Sequence, residues 1–185
     1  MARKKTRRRS ASGRNARAAR IVKTPGDRPS PVLTYIEDRG TVYDVPLEVL
    51  WDFMKKDEEF HPRAHAATLR NVEVEELSEI TSRIEYELQW GGRWRKMVSR
   101  LTEIRPAVRI DEELVGPFAG SKKVFLYSPR GSRTSVDVLC YMRSSELSPK
   151  EVGRVTLDDL AKNHAEDEPY LRRFAKKYPG GLPPP

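Results

Sequence analysis

Apolar and polar residues alternate over much of the chain, which is the pattern of half-buried β-strands. It is clearest over residues 80–90, where Ile84, Tyr86 and Leu88 share one side and charged residues occupy the other. The sequence predicts seven strands, over residues 33–45, 68–77, 80–90, 93–103, 107–115, 121–127 and 133–143. Short turn segments separate the last six, so we expect consecutive antiparallel pairing, with the first strand completing the sheet.

Helical spacing occurs in two regions. Pro46 precedes apolar residues at three- to four-residue intervals, which predicts a helix there, and a second short helical segment is expected over residues 57–65. Ser148, Pro149 and Glu151 predict the capped start of a long C-terminal helix, which Pro169 is expected to kink or restart. Its expected apolar side comprises Val152, Val155, Leu157, Leu160, Ala161, His164, Leu171 and Phe174. The predicted class is α+β, with helices on one face of an antiparallel sheet.

This order of elements, with several local motifs, resembles the START/SRPBCC helix-grip superfamily, which includes polyketide cyclase-like and birch-pollen-allergen-like proteins. The resembling segments are residues 45–52, 60–62 and 134–138 and the terminal helix. The resemblance implies one domain over residues 32–178, a curved seven-stranded antiparallel sheet around the long C-terminal helix, and two short helices after strand 1. It also implies an apolar cavity between sheet and helix. Family members bind lipids, isoprenoids, aromatic compounds or polyketides, and some catalyse cyclisation or dehydration.

Hairpin geometry indicates which residues would face that cavity. With Gly91 and Gly92 as the loop, Leu88 opposes Arg95 and Tyr86 opposes Met97, and opposed residues share a face. The predicted ligand-binding residues are Ile84, Tyr86, Leu88, Arg95, Met97, Val138, Cys140, Leu160 and His164. An inward Arg95 could hold a carboxylate or phosphate, or it could reach solvent or pair with a glutamate. His164 could be a polar group of the cavity or a core histidine.

No motif for covalent or metal chemistry stands out. Cys140 has no adjacent base in a recognised motif, and no glycine-rich loop has the spacing of a phosphate-binding loop. His61 and His65 have i, i+4 spacing, but Pro62 interrupts the turn, so we expect neither a metal nor a cofactor. The adjacent carboxylates at 75–76, 112–113 and 158–159 are interpreted as solvated faces.

The basic charge of the chain is concentrated at its start. Residues 1–30 hold 11 Lys/Arg and one Asp, whereas the rest holds 24 Lys/Arg and 26 Asp/Glu, so the body is not a basic nucleic-acid-binding domain. We predict a disordered basic tail over residues 1–31 and a Pro/Gly-rich end over residues 179–185. Arg7, Arg8 and Arg9 could give weak contact with RNA, DNA or an anionic surface, or could have no fixed partner.

Composition also bears on disulfides, membrane spans and cellular location. A single cysteine cannot form an internal disulfide, and no apolar run approaches the roughly 20 residues that span a bilayer. A cytoplasmic protein is therefore expected. The leading functional hypothesis is a non-catalytic protein that binds or carries a small apolar or amphipathic ligand. One alternative is a polyketide cyclase- or aromatase-like enzyme that uses Arg95, Tyr86 or His164, and another is a nucleic-acid-associated protein that attaches through its tail.

Overall fold

Seven antiparallel strands form a single open sheet. The computed structural model describes residues 33–56, 61–104 and 107–182. Its strands are β1 Thr34–Tyr43, β2 Leu69–Ser78, β3 Thr81–Trp90, β4 Arg93–Ile104, β5 Val108–Val115, β6 Lys122–Arg130 and β7 Arg133–Met142. They lie in the order β1-β7-β6-β5-β4-β3-β2, so β1 and β2 are the two edges and the sheet does not close. This confirms the predicted strands, although their ends differ by up to three residues.

Three helices accompany the sheet: α1 Leu47–Lys56, α2 His61–Ala64 and α3 Pro149–Lys177. The predicted capping box is present, because the Glu151 backbone N–H donates to the Ser148 side chain and the Ser148 backbone N–H donates to the Glu151 carboxylate at 2.9 Å. The helix continues through Pro169 and does not restart there. Packing of Leu171 and Phe174 in the core offsets the loss of one backbone hydrogen bond. No helix of the described residues is long and apolar enough to cross a membrane.

The register of the β3–β4 hairpin agrees with the prediction. Leu88 pairs with Arg95 and Tyr86 with Met97. Both loop residues have positive φ, 58° at Gly91 and 75° at Gly92, as the favoured two-residue hairpin turn requires. The side chains predicted to share a face therefore do share it, and we call the face that is turned toward α3 the inner face.

Burial decreases across the inner face from one side of the sheet to the other. On β7, Val138 is 3% exposed and Cys140 is fully buried. On β3, Ile84 and Tyr86 are half-buried, and on the edge strand β2, Val74 is 61% exposed. The cause is the position of α3, which lies closest to β1, α1 and α2. The side of the sheet near β2 and β3 therefore keeps accessible surface.

The hydrophobic core occupies the β1–β7 side. Phe53 of α1 and Phe174 of α3 are fully buried, with ring centroids 5.7 Å apart. The chain after α3 packs here too, because the Leu182 backbone N–H donates to Asp52 Oδ2 at 2.9 Å. The predicted tail, residues 1–31, lies outside the described residues.

Candidate ligand-binding groove

Half-buried residues on the inner face of β3–β6, together with the neighbouring side of α3, form the candidate site, which we call the inner groove. Cross-strand pairing places Ile84 opposite Ser99 and Ser99 opposite Glu113, so these three lie in one row. In the next row toward α1, Leu101 pairs with Asp111, which pairs with Lys123. Apolar groups on β3 and β4 thus adjoin polar groups on β4, β5 and β6.

A chain of three hydrogen-bonding side chains crosses the groove. The Tyr86 hydroxyl lies 3.3 Å from Ser99 Oγ, and Ser99 Oγ donates to Glu113 Oε2 at 2.8 Å. Burial raises the pKa of the Glu113 carboxyl, although Lys123 and the Ser99 hydrogen bond partly oppose the shift. Burial also raises the pKa of Tyr86 well above its ordinary value. The chain therefore holds a neutral phenol and a carboxyl group that keeps its proton to a higher pH than an exposed glutamate does.

The cations of this region are paired with carboxylates. Lys123 Nζ lies 3.6 Å from Asp159 Oδ2 on α3, and Arg109 donates twice to Asp111, at 3.0 and 3.4 Å. Burial lowers the pKa of Lys123, but the nearby Asp159, Glu113 and Asp111 outweigh it and the pKa is raised. Both cations therefore stay charged at neutral pH, and each has an acidic neighbour.

Apolar side chains complete the groove. Ile84, Leu88 and Leu101 are half-buried, whereas Met97 is 1% exposed. The Met97 thioether packs against the backbone of Gly116, where φ is +120° and a Cβ would come within 2.4 Å of the sulfur. Met97 is therefore buried beneath the groove, and the half-buried residues are its accessible apolar surface.

Two further predicted site residues make contacts outside this polar chain, although Arg95 shares the inner face with Tyr86 and lies in the neighbouring row. Arg95 is 40% exposed in its side chain and pairs with Glu146 at 3.3 Å, which is the glutamate alternative considered from the sequence. His164 packs against the ring of Tyr43, with centroids 4.5 Å apart, on the β1 side of α3. A cavity of about 50 Å³ adjoins His164 there, lined also by Asp44 and Leu171.

Three further predicted residues lie in the core. Val138, Cys140 and Leu160 are at most 8% exposed and pack with α1 and α3. Burial raises the pKa of the Cys140 thiol to about 11. Their contact with a ligand stays a prediction, whereas Ile84, Tyr86 and Leu88 lie on the accessible part of the inner face.

His65, one of the two histidines with i, i+4 spacing, contacts two carboxylates of α3. His65 Nδ1 lies 3.1 Å from Glu166 Oε2, and Nε2 lies 3.0 Å from Asp167 Oδ1. Burial lowers the pKa of His65, but the two carboxylates raise it further and the net shift is upward. The side chain of His61 lies outside the described residues, and the described residues contain no group of three or more potential ligands that could hold a metal. His65 thus joins the segment after α2 to α3.

Comparison with known proteins identifies the architecture. No family model and no curated protein sequence matches this chain. The Zhui aromatase/cyclase from Streptomyces sp. R1128 superposes with a TM-score of 0.61 at 12% identity, over 82% of this chain and 100% of that one. Ara h 8.0201 gives 0.59 at 13% identity, over 77% and 99%. The di-domain ARO/CYC StfQ of the steffimycin biosynthetic pathway gives 0.61 at 8% identity, over 80% and 53%.

The chain has the helix-grip fold. This confirms the fold that the resemblance to the START/SRPBCC superfamily implied from the sequence. At 8–13% identity the likeness concerns the fold alone, so the chemistry of this helix-grip protein has to be argued from its own side chains.

The polar half of the groove was missed at the sequence level. The interpretation of Glu112 and Glu113 as a solvated face is wrong for Glu113, which is 9% exposed. Adjacent residues of a strand point to opposite faces, so one member of an acidic pair within a strand must face inward. That rule, applied to β5, would also have placed Arg109 and Asp111 on the inner face of the helix-grip sheet.

Proposed function

We propose that this protein binds a small amphipathic ligand in the inner groove. The ligand's apolar part lies against Ile84, Leu88 and Leu101, and its polar end meets Tyr86 and Glu113. The observation that carries the proposal is the Tyr86–Ser99–Glu113 chain, which lies beside half-buried apolar residues on the side of the sheet that α3 covers least. Small-molecule sites typically combine apolar surface with a few convergent polar groups.

The expected affinity is modest. Covering about 200 Å² of apolar surface, counted over ligand and groove, contributes about 5 kcal/mol. That free energy corresponds to a Kd of about 0.2 mM before any polar contribution. Titrations of this protein should therefore extend into the millimolar range of ligand.

A matched pair of tryptophan variants tests the location. Leu101→Trp fills the groove, because Leu101 shares the inner face with Ser82 and Asp111. Thr102→Trp places the same side chain on the opposite face of β4. Binding of 2-naphthol is measured by NMR titration of the full chain. We expect the wild type and Thr102→Trp to bind it alike, and Leu101→Trp to bind it at least about tenfold more weakly. A tenfold loss of affinity corresponds to a loss of about 1.4 kcal/mol of binding free energy. Equal affinity of all three proteins for 2-naphthol would show that the ligand binds outside the inner groove. No binding by any of them would show that it does not bind at all.

A second candidate function is catalysis of the cyclase or aromatase type. The observation that favours it is Glu113, a buried carboxyl with a raised pKa that is hydrogen-bonded toward the groove and could act as a general acid. Of the three sequence candidates, Tyr86 belongs to that chain, Arg95 lies on the same face in the neighbouring row and pairs with Glu146, and His164 packs against Tyr43. Glu113→Gln and Tyr86→Phe should abolish turnover of a poly-β-ketone while leaving the unfolding transition intact. Unchanged turnover in both variants would contradict the assignment.

We also propose a weak contact between the basic segment and polyanions, independent of the groove. Its support is the net charge of +10 over residues 1–30, against −2 for the remainder. Replacing Arg7, Arg8 and Arg9 with Gln should lower the slope of log affinity against log salt for single-stranded DNA by about 2, at about 0.7 per contact. An unchanged slope would exclude these arginines as the contact. A cytoplasmic location stays a prediction.

A further inference from the structure

We infer that the inner groove has a second polar subsite at the end nearest the β3–β4 hairpin loop, where Arg95 binds a carboxylate of the ligand. This inference rests on the proposed ligand-binding function and names the chemical class of the ligand, an amphipathic carboxylate. Three observations carry it: the position of Arg95, a donor on its guanidinium that has no partner, and its weak pairing with Glu146.

Arg95 lies on the inner face among apolar side chains. It pairs across the hairpin with Leu88, and Tyr86 and Trp90 flank Leu88 on the same face of β3. The Trp90 ring packs edge-to-face on Phe118, with centroids 4.9 Å apart, so an aromatic pair borders this end of the groove. The apolar part of a ligand can therefore lie against apolar surface while its carboxylate meets the guanidinium.

The guanidinium of Arg95 has a buried donor that no described residue accepts. Its Nε atom is buried and has no hydrogen-bond partner in the described part of the chain. The Nε and Nη2 groups of an arginine form a fork that matches the two oxygens of a carboxylate. Arg109 shows the filled fork, because its Nε and Nη2 donate to the two oxygens of Asp111 at 3.0 and 3.4 Å.

Other arginines of the described residues also use their Nε atom. Five of them donate from it to an oxygen at 2.6–2.8 Å: Arg39, Arg70, Arg100, Arg133 and Arg143. A buried N–H group without an acceptor is unfavourable, because it has lost its hydrogen bond to water. A ligand oxygen on the Nε of Arg95 would restore that bond.

Glu146 fills the Arg95 fork only in part. Both of its carboxylate oxygens approach the same nitrogen, Nη2, at 3.3 and 3.5 Å. Hydrogen bonds between a charged nitrogen and a carboxylate are typically shorter, at about 2.7–2.9 Å. The two side chains are 40% and 39% exposed, and exposed ion pairs contribute little stability. A ligand carboxylate can therefore displace Glu146 into solvent, keep the contact with Nη2 and add the hydrogen bond from Nε.

The buried acids of the groove lie far from this subsite. Ser99, which donates to Glu113, is four residues from Arg95 on β4, about 13 Å at about 3.3 Å per residue. Asp111 pairs with Leu101, two residues further along. These separations exceed the Debye length of about 8 Å at physiological ionic strength, so repulsion of a carboxylate at Arg95 is weak. The inference holds whether Glu113 is ionised or not.

Three probes with the same ring system test the inference: 2-naphthoate, its neutral counterpart 2-naphthamide, and 2-naphthol. Each is titrated against the full chain at pH 7 and followed by NMR. We expect 2-naphthoate to bind about five- to tenfold more tightly than 2-naphthamide, as one hydrogen bond to a charged group allows. If 2-naphthol binds but 2-naphthoate has no advantage over 2-naphthamide, the inference is overturned and the proposed function stands. If none of the three binds, both are overturned.

Two variants that break the same ion pair should change the affinity for 2-naphthoate in opposite directions. Arg95→Gln removes the guanidinium and should abolish the preference for 2-naphthoate over 2-naphthamide. Glu146→Gln removes the competing carboxylate and should raise the affinity for 2-naphthoate about threefold, as the loss of an exposed ion pair allows. A purely structural ion pair would make the two variants behave alike. A change in the same direction in both, or no change in either, would overturn the inference.

Arg154→Gln and Asp158→Asn are the matched controls. They break an exposed ion pair of α3, with 3.0 Å between Arg154 Nη1 and Asp158 Oδ2, and change the net charge by the same amounts. Both should leave all three affinities unchanged, and the ¹H–¹⁵N spectrum of each variant shows whether it is folded. The Nε–H signal of Arg95, identified by its loss in Arg95→Gln, should shift with 2-naphthoate and stay in place with 2-naphthamide. A signal that 2-naphthoate does not move would contradict the contact.

Discussion

Glu112 and Glu113 are neighbours in sequence and opposites in environment. Glu112 lies on the outer face between Arg100 and Lys122, and hydrogen bonds from Lys122 lower its pKa, whereas burial raises the pKa of Glu113. As the pH rises through the ordinary glutamate range, the unfolded chain loses its proton at 113 before the folded chain does. The ionisation of Glu113 therefore lowers the free energy of unfolding of the wild type as the pH rises. The stability of Glu113→Gln relative to the wild type should increase between pH 4 and pH 8.

Glu112→Gln should show the opposite sign. The lowered pKa of Glu112 stabilises the folded state above the ordinary pKa, and that contribution is lost as the pH falls through the folded value. The variant should be less stable than wild type at pH 8, by at most about 1 kcal/mol for such partly exposed ion pairs, and equal to it at low pH. Urea unfolding at both pH values measures both variants. The same sign for the two would contradict the assigned environments.

The backbone conformation at position 181 and the nearby Asp52 side chain both require glycine there. Its φ is +87°, and a Cβ there would lie 2.6 Å from Asp52 Oδ2, which accepts the Leu182 N–H. Gly181→Ala should lower stability by at least about 1 kcal/mol, the cost of a left-handed conformation for a residue with a Cβ. Gly180→Ala is the control, because nothing lies within 4 Å of its Cβ position. Equal thermal unfolding of the two variants would show that the 179–182 segment is not held as described.

At the scale of elements, the start of α3 depends on its cap. The Ser148 side chain accepts from the Glu151 N–H, and the Glu151 carboxylate accepts from the Ser148 N–H. Ser148→Ala should lower the free energy of unfolding by about 1 kcal/mol, since the Glu151 backbone N–H loses its acceptor. Ser145→Ala, at an exposed position just before the cap, should cost less than half as much in the same urea titration. Equal losses of unfolding free energy in the two variants would mean that the Ser148 cap contributes no more than an exposed serine outside the helix.

The two edge strands should differ in dynamics. Both β1 and β2 lack a neighbour on one side, but β1 contacts α3, whereas residues 70–78 of β2 are exposed. Few buried contacts favour local opening, so hydrogen exchange should be faster in β2 and β3 than in β1 and β7. Equal protection of β1 and β2 would show that edge position alone sets their stability. A bound 2-naphthol should increase the protection of β3 and β4 most.

Across the whole molecule, the sequence predicted elements better than chemistry. Gly91 and Gly92 determine the hairpin register locally, and Ser148 and Glu151 determine the helix start locally, so both could be predicted. The polar groove could not be predicted by seeking an apolar inner face. On β5, Val108 and Ile110 point outward and Arg109 points inward, because the cross-strand partners Glu103 and Phe125 lie inside. The displacement of α3 toward β1, which leaves that face accessible, has no local sequence signal.

The thiol of Cys140, the single cysteine of the chain, is a probe of structural opening. Cys140 is fully buried and its pKa is raised to about 11, so an alkylating or disulfide-exchange reagent can reach a reactive sulfur only when the β7 side opens. The rate of labelling at neutral pH should therefore follow the population of opened molecules. A ligand bound in the inner groove should slow the labelling by the factor 1 + [L]/Kd, where [L] is the free ligand concentration, if opening releases the ligand. Labelling as fast as that of a free thiol would mean that the core around this sulfur is not closed.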